Sequence, residues 1–232
     1  MNTYYYIKLS SNPKKIGSRF PQISDYIDNN YNFLGDNSIW KIDYSKKIDF
    51  NLELPIFKLY HKAKLTDLIS CSNVRTGSSM LVSARTAEIL NNYNLCKYQV
   101  FPAKIFHKSS IYPYYFLYFY ENTNELINFN SSEFYTRPWT GVDIKKSPIT
   151  ISSIDDLNEK INHFTSEKQF LLASKLIFRF QFTNYDLFRT HGIFNAFYIS
   201  SRVFQKLEKE GITGLDYFPF EDGEFEINQK LI

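Results

Sequence analysis

The sequence predicts an α+β fold, mostly antiparallel sheet with three or four helices, containing two similar strand-helix-strand units at about 80–103 and 197–220. Three observations predict it. Short runs rich in Tyr, Phe, Ile and Val recur at strand length, bounded by Asn, Pro and Gly. Only a few stretches place apolar residues at helical spacing behind a serine. One of those stretches occurs twice.

The clearer copy is FYISSRVFQKLEKEGITGLDYFPF, Phe197 to Phe220. Its first residues suit a buried strand, and Ser200 offers a side-chain oxygen as helix N-cap. Val203, Phe204 and Leu207 then form a narrow apolar stripe, and Gly211 can end the helix in the left-handed conformation. Leu215 to Phe218 reads as a second strand, stopped by Pro219. An offset of 117 residues, Ser200 against Ser83, lays this unit on MLVSARTAEILNNYNLCKYQVFPA, Met80 to Ala103. Arg85 then matches Arg202, Leu90 matches Leu207, and Phe101-Pro102 match Phe218-Pro219. Asn94 falls where Gly211 stands and also tolerates the left-handed region. The common register suggests an internal duplication; two unrelated units sharing cap and stop chemistry are the alternative. Two copies so far apart do not make a solenoid. They suggest one domain over residues 1–232, built of two similar halves at about 1–130 and 131–232.

The remaining elements follow in order. TYYYIKL, Thr3 to Leu9, is a first strand. A short helix is expected near Ile23 to Asn29, and strands at Trp40–Tyr44 and Phe57–Tyr60. Ala103–His107, Tyr114–Tyr120 and Leu126–Phe129 read as three strands of an antiparallel meander. The second of these is apolar on both faces and central in its sheet. NSSEFYTRPWTG, residues 130–141, reads as a loop, and Val142–Ile151 holds a strand interrupted by Pro148. Ser153, with Asp156 three residues on, opens a helix as a capping box. Phe170–Leu172 and Leu176–Phe182 are further strands. In the latter Leu176, Phe178, Phe180 and Phe182 alternate with Arg179 and Gln181. The acidic tail carries a short apolar stretch around Phe225.

Composition narrows the function. Hydrophobic residues make up 44% of the chain and aromatics 18%, which excludes a disordered chain. The 27 basic and 24 acidic residues leave a formal charge of +3. That balance gives no basic footprint for nucleic acid and no strong acidity of a DNA mimic. Cys71 and Cys96 fit neither a disulfide framework nor a zinc pattern and read as reduced, buried thiols. No signal peptide and no membrane-spanning run is present, so a soluble cytoplasmic protein is expected.

Catalytic signatures are lacking. His61, His107, His163 and His191 show no metal-ligand spacing, and no G-x-S-x-G, GxGxxG or P-loop occurs. No catalytic residue, cofactor or metal is therefore expected. Ser83 and Ser200 read as caps rather than nucleophiles. Arg85 and Arg202 could bind an anion together, but a solvated or ion-paired helix face is the simpler explanation. Two features suit a protein partner. Arg137-Pro138-Trp139 places two hot-spot residue types in an expected exposed loop. Trp139 either anchors a partner there or folds back onto the sheet. Glu221, Asp222, Glu224 and Glu226 could steer a basic partner, or could be a solvated terminus.

The order LTDLI, LVSARTAEIL, YQVFPAKI and a Tyr-rich β stretch ending ELINFNSSEF resembles the bacterial immunity proteins of polymorphic toxin systems. That group was first catalogued as a domain of unknown function. The closing FYISSRVFQKLEKEGITGLDYFPF looks like the family's C-terminal signature. The resemblance covers about residues 65–225, rests on structural motifs, and carries over no catalytic residue. It implies a single immunity-type domain that binds one cognate toxin domain and occludes it. An enzyme with its site in a cleft between the halves is the alternative, and a structural or nucleic-acid-binding module a weaker one.

Overall fold

The structure is a computed structural model that describes residues 3–27, 31–43, 46–71, 78–140, 147–179, 184–220 and 224–227. The chain starts with β1 (Tyr4–Leu9), a single-turn α1 (Pro13–Ile16), β2 (Ile23–Tyr26), β3 (Ile56–Leu59) and β4 (Leu68–Ile69). The first repeated unit is β5 (Ser79–Ser83), α2 (Ala84–Leu90) and β6 (Tyr98–His107), followed by β7 (Ser110–Phe119). Next come β8 (Glu133–Pro138), β9 (Ser147–Ile149), α3 (Ile154–Ser166), β10 (Gln169–Ile177) and β11 (Leu187–Thr190). The second unit is β12 (Ala196–Ser200), α4 (Ser201–Lys209) and β13 (Leu215–Phe220), and β14 (Glu224–Glu226) closes the described chain. The α+β class holds, with mostly antiparallel pairing.

The helix starts follow the capping chemistry read from the sequence. Ser83, Ser153 and Ser200 each accept from the backbone N–H three residues on, at Thr86, Asp156 and Val203. In the Ser153 box the returning Asp156 carboxylate accepts from the Ser152 backbone N–H. Gly211 is left-handed, with φ of 63°, as a C-terminal glycine should be. Asn94 is not left-handed: its backbone and side chain are taken up in bonds to Asp186 and Asn184 instead.

Several local expectations are corrected. Ile23–Tyr26 is a strand rather than a helix, because Ile23 and Tyr26 pair across to Leu59 and Phe57 and pairing overrides weak local propensity. Asn29 lies outside the described residues, as does Tyr44. Ile39–Lys41 is a 3-10 turn, not a strand, because the Ser38 hydroxyl accepts from the Trp40 N–H and closes the chain locally. The third strand of the meander is replaced by 3-10 turns at Asn124–Leu126 and Phe129–Ser131, leaving only a bridge from Ile127 to Phe178. Phe170–Leu172 and Leu176 onward form one strand, β10, carried past a bulge between Ala173 and Lys175. Phe180, Gln181 and Phe182 lie outside the described residues. Lys108 and Ser109 both have positive φ and make the tight turn between β6 and β7, so β7 starts at Ser110.

Three sheets result. Their orders are β2-β3-β6-β7-β5-β4, β11-β12-β1-β13 and β14-β10-β8-β9. The two repeated units obey one plan. In the first, β7 lies between β5 and β6 with β4 outside β5; in the second, β1 lies between β12 and β13 with β11 outside β12. The registers agree as well. Tyr114 faces Ser83 and Ala103, while Tyr4 faces Ser200 and Phe220. The middle strand follows its unit in the first case and comes from the beginning of the chain in the second. One large apolar cluster joins both units through α2, α4 and the third sheet. A second covers the other face of the six-stranded sheet, where Ile23, Ile39, Ile42, Ile48 and Phe57 pack on Leu81, Ile105 and Phe116. Ile39, Ile42 and Ile48, from the segment between β2 and β3, take part in this cluster.

Candidate protein-docking surface

Arg137 lies on a strand, not on a loop, and Trp139 follows directly after that strand's end. EFYTRP forms β8, with Phe134, Tyr135 and Thr136 buried, and Arg137 pairs across to Phe170 on β10. Pro138 is compatible with this because β9 pairs only with Phe134–Thr136, so no ladder bond is lost on that side. The Trp139 N–H donates to the Lys168 carbonyl and holds the two strand ends together. Trp139 packs back onto the sheet and still keeps an exposed face. Its ring packs on Phe170 with centroids 5.8 Å apart, yet it stays 46% exposed. The Arg137 guanidinium lies 5.4 Å from the centre of the same Phe170 ring, a cation–π contact.

Phe170 connects this cluster to a cleft. A cavity of about 440 Å³ is lined by Phe170, Leu171, Phe20, Ile193, Phe194 and Leu215, with Lys8 on its wall. It lies where the four-stranded sheets and the loop before β2 meet. Phe20 and Phe170 are 45% and 43% exposed, so two aromatic rings stand at the cleft and Trp139 extends the patch outward. The sequence named Arg137 and Trp139 from composition. It missed Phe170 and Phe20, because their exposure follows from strand pairing and from the packing of distant segments.

Part of the acidic tail, Glu224–Glu226, lies on a strand. Glu224 forms an ion pair with Lys175, and Glu226 is paired opposite Lys175 in the ladder between β10 and β14. The Lys175 ammonium is held above its ordinary pKa, chiefly by its hydrogen bond to Glu224. Glu224 therefore has an ion-pair partner within the chain at this sheet edge. Glu221 and Asp222 lie outside the described residues.

The paired arginines are each bound to an aspartate. Arg85 makes two bonds to Asp67 and one to the Glu210 carbonyl, and Arg202 makes two to Asp186. Each aspartate also accepts from its own cap serine, Ser83 or Ser200. Each then reaches into the other unit: Asp67 accepts from the Thr213 N–H and hydroxyl, and Asp186 accepts from the Asn94 N–H. Burial pushes both carboxyls up, but the hydrogen bonds from arginine, serine and backbone outweigh it and hold them below the ordinary range. Tyr114 and Tyr4 repeat the correspondence, donating to the carbonyls of Thr66 and Tyr185. This reciprocal clasp locks the units together. It does not present two guanidiniums to one anion.

Among the histidines, His107 is buried with Nε2 3.3 Å from the His61 carbonyl, and His163 lies on α3 beside Glu167. The backbone of His191 is held on both sides by the Asn124 side chain. Arg189, which the sequence reading did not single out, is fully buried and donates to the Glu121 carbonyl and the Ser78 hydroxyl, tying β11 to the first unit. Cys71 and Cys96 are buried thiols not joined in a disulfide, and burial pushes the Cys96 thiol up to about 12. Among the described residues, no group of three or more metal-ligating side chains is found and no helix is long and apolar enough to cross a membrane. No protein-family model matches the chain, and no curated protein matches it.

Proposed function

We propose that this chain is a binding protein of the immunity type, which neutralises a cognate bacterial toxin by one-to-one occlusion in the cytoplasm. The observation that carries the reading is the exposed Trp139–Phe170–Arg137 cluster at the edge of an apolar cleft. Tryptophan and arginine are the residue types that dominate binding energy at protein interfaces, and an aromatic floor beside a pocket is where they act. The resemblance of the two strand-helix-strand units to toxin-immunity proteins supplies the kind of partner. The cleft wall has one charged side chain, Lys8, among mostly apolar ones, which suits a protein side chain better than a polar substrate.

The test is to express the C-terminal domain encoded by the neighbouring reading frame and titrate it against this chain by calorimetry. A one-to-one complex is expected, weakened at least tenfold by Trp139→Ala, with a similar loss for Arg137→Ala. His107→Ala, His163→Ala and His191→Ala should retain protection of toxin-expressing cells. Turnover of the toxin's product, or unchanged affinity in a folded Trp139→Ala variant, would contradict the reading.

A further inference from the structure

Among the helix positions at which the two units differ, one leaves a pocket. In the second unit Phe204 of α4 lies flat on Tyr5, with ring centroids 3.9 Å apart and planes 18° apart, and meets Tyr217 edge-on at 5.1 Å. The 117-residue correspondence places Ala87 of α2 where Phe204 stands, and Val100 of β6 where Tyr217 stands. Tyr115 of β7 takes the place of Tyr5: it faces Pro102 as Tyr5 faces Pro219. With a methyl group in place of a ring, the space between helix and sheet is left open. A cavity of about 360 Å³ occupies it, lined by Ala87, Leu90, Tyr98, Val100, Tyr115 and Leu117, with Glu88 and Asn91 of the helix side also on its wall. Val100 is 48% exposed at its edge.

We propose that this pocket receives an aromatic side chain of a protein partner, which completes the first unit as Phe204 completes the second. The floor offers what a ring requires: the Tyr115 face for stacking, and the apolar edges of Val100 and Leu117. The surface continues past the pocket into an apolar groove lined by Leu54, Ile56, Pro102, Ile111 and Pro113, where Ile111 is 53% exposed. A chain flanking the inserted ring would cover that groove. A free aromatic metabolite would leave it open. The proposal rests on the reading of this chain as a binding protein, but it uses a surface distinct from the Trp139 cluster.

The test is a titration of ¹⁵N-labelled protein with N-acetyl-phenylalanine amide, with N-acetyl-alanine amide as control. Saturable shifts are expected at the amides of Ala87, Val100, Tyr115 and Leu117, for the aromatic compound only. Ala87→Phe should abolish them while raising Tm by a few degrees, since the new ring takes the place the probe would occupy. A folded Ala87→Phe protein in which the shifts persist, or a wild-type protein with no saturable shift at these amides, would overturn the proposal. A wild-type dimer that Ala87→Phe dissociates would also overturn it, by making a second copy of this chain the source of the ring. Because the probe is added alone, this result stands apart from calorimetry on Trp139→Ala, so the two readings can fail separately.

Discussion

The two strand-helix-strand units share strand order, register, a serine cap and an aspartate–arginine pair, yet they are finished differently. The second unit closes its helix onto its sheet with Phe204 between Tyr5 and Tyr217. The first has Ala87 there and an open pocket. The difference teaches that the framework of such a unit is held by its cap, its clasp and its central strand. The residue under the helix can then be exchanged without loss of the plan. A position freed from holding the fold is available for binding.

The substitution expected to cost most is at the junction rather than in either core. Gly214 has φ of 96°, and a Cβ there would fall 2.2 Å from the Leu68 carbonyl oxygen. Gly214→Ala should destabilise by about 3–4 kcal/mol, because both backbone strain and a backbone clash result. Gly211→Ala, left-handed but with open space around it, should cost only about 1–2 kcal/mol. Equal losses in urea denaturation would show that the approach of Gly214 to Leu68 does not join the units as described.

Phe204→Ala comes next, at about 2–3 kcal/mol, below the usual cost of a fully buried ring because Phe204 is half-buried. Truncation of Ala87 to Gly should cost about 1 kcal/mol, the helix-propensity difference alone. The gap between the two measures how much packing the first unit lacks.

The clasps should respond to acid. Asp67 and Asp186 titrate below their ordinary value in the folded protein, so the stability they contribute is present above an unfolded pKa of about 4 and is lost as pH falls through the lower folded values. Asp67→Asn and Asp186→Asn should each cost about 1–2 kcal/mol at neutral pH, since each leaves donors from the opposite unit poorly satisfied. The double variant should show a flatter dependence of Tm on pH below about 5. An unchanged acid limb would mean that other carboxylates carry it. The smallest effect on stability is expected for Trp139→Ala, within about 0.5 kcal/mol, since its ring is half in solvent and its backbone bond to Lys168 survives.

What could be read in the sequence was local. Caps at Ser83, Ser153 and Ser200, the Gly211 stop and the apolar β7 follow from spacing and residue chemistry, and all are present. The likeness of the two units was visible because helix and second strand keep one register in both. The second unit's middle strand was not, since β1 joins β12 and β13 across nearly the whole chain and no periodicity encodes that. β8 is hidden by Pro138 and by polar residues on either side, and the 3-10 turns around Leu126 resemble a strand in sequence because their apolar residues are buried by distant segments. In the docking surface, residue types pointed to Arg137 and Trp139. Phe170 and Phe20 became significant only once pairing and packing placed them together. Asp67 and Asp186 gave no sequence signal, because their partners lie mostly in other elements.

The most direct measurement is the same aromatic titration on Phe204→Ala. If the two units are one packing plan with one ring withdrawn, removing Phe204 opens a second seat. N-acetyl-phenylalanine amide should then shift the amides of Tyr5, Ser201 and Tyr217 in addition to those of Ala87, Val100 and Tyr115, and adding Ala87→Phe should leave only the new set. A folded Phe204→Ala protein that shows no saturable shift at Tyr5 and Tyr217 would contradict the equivalence on which the account depends.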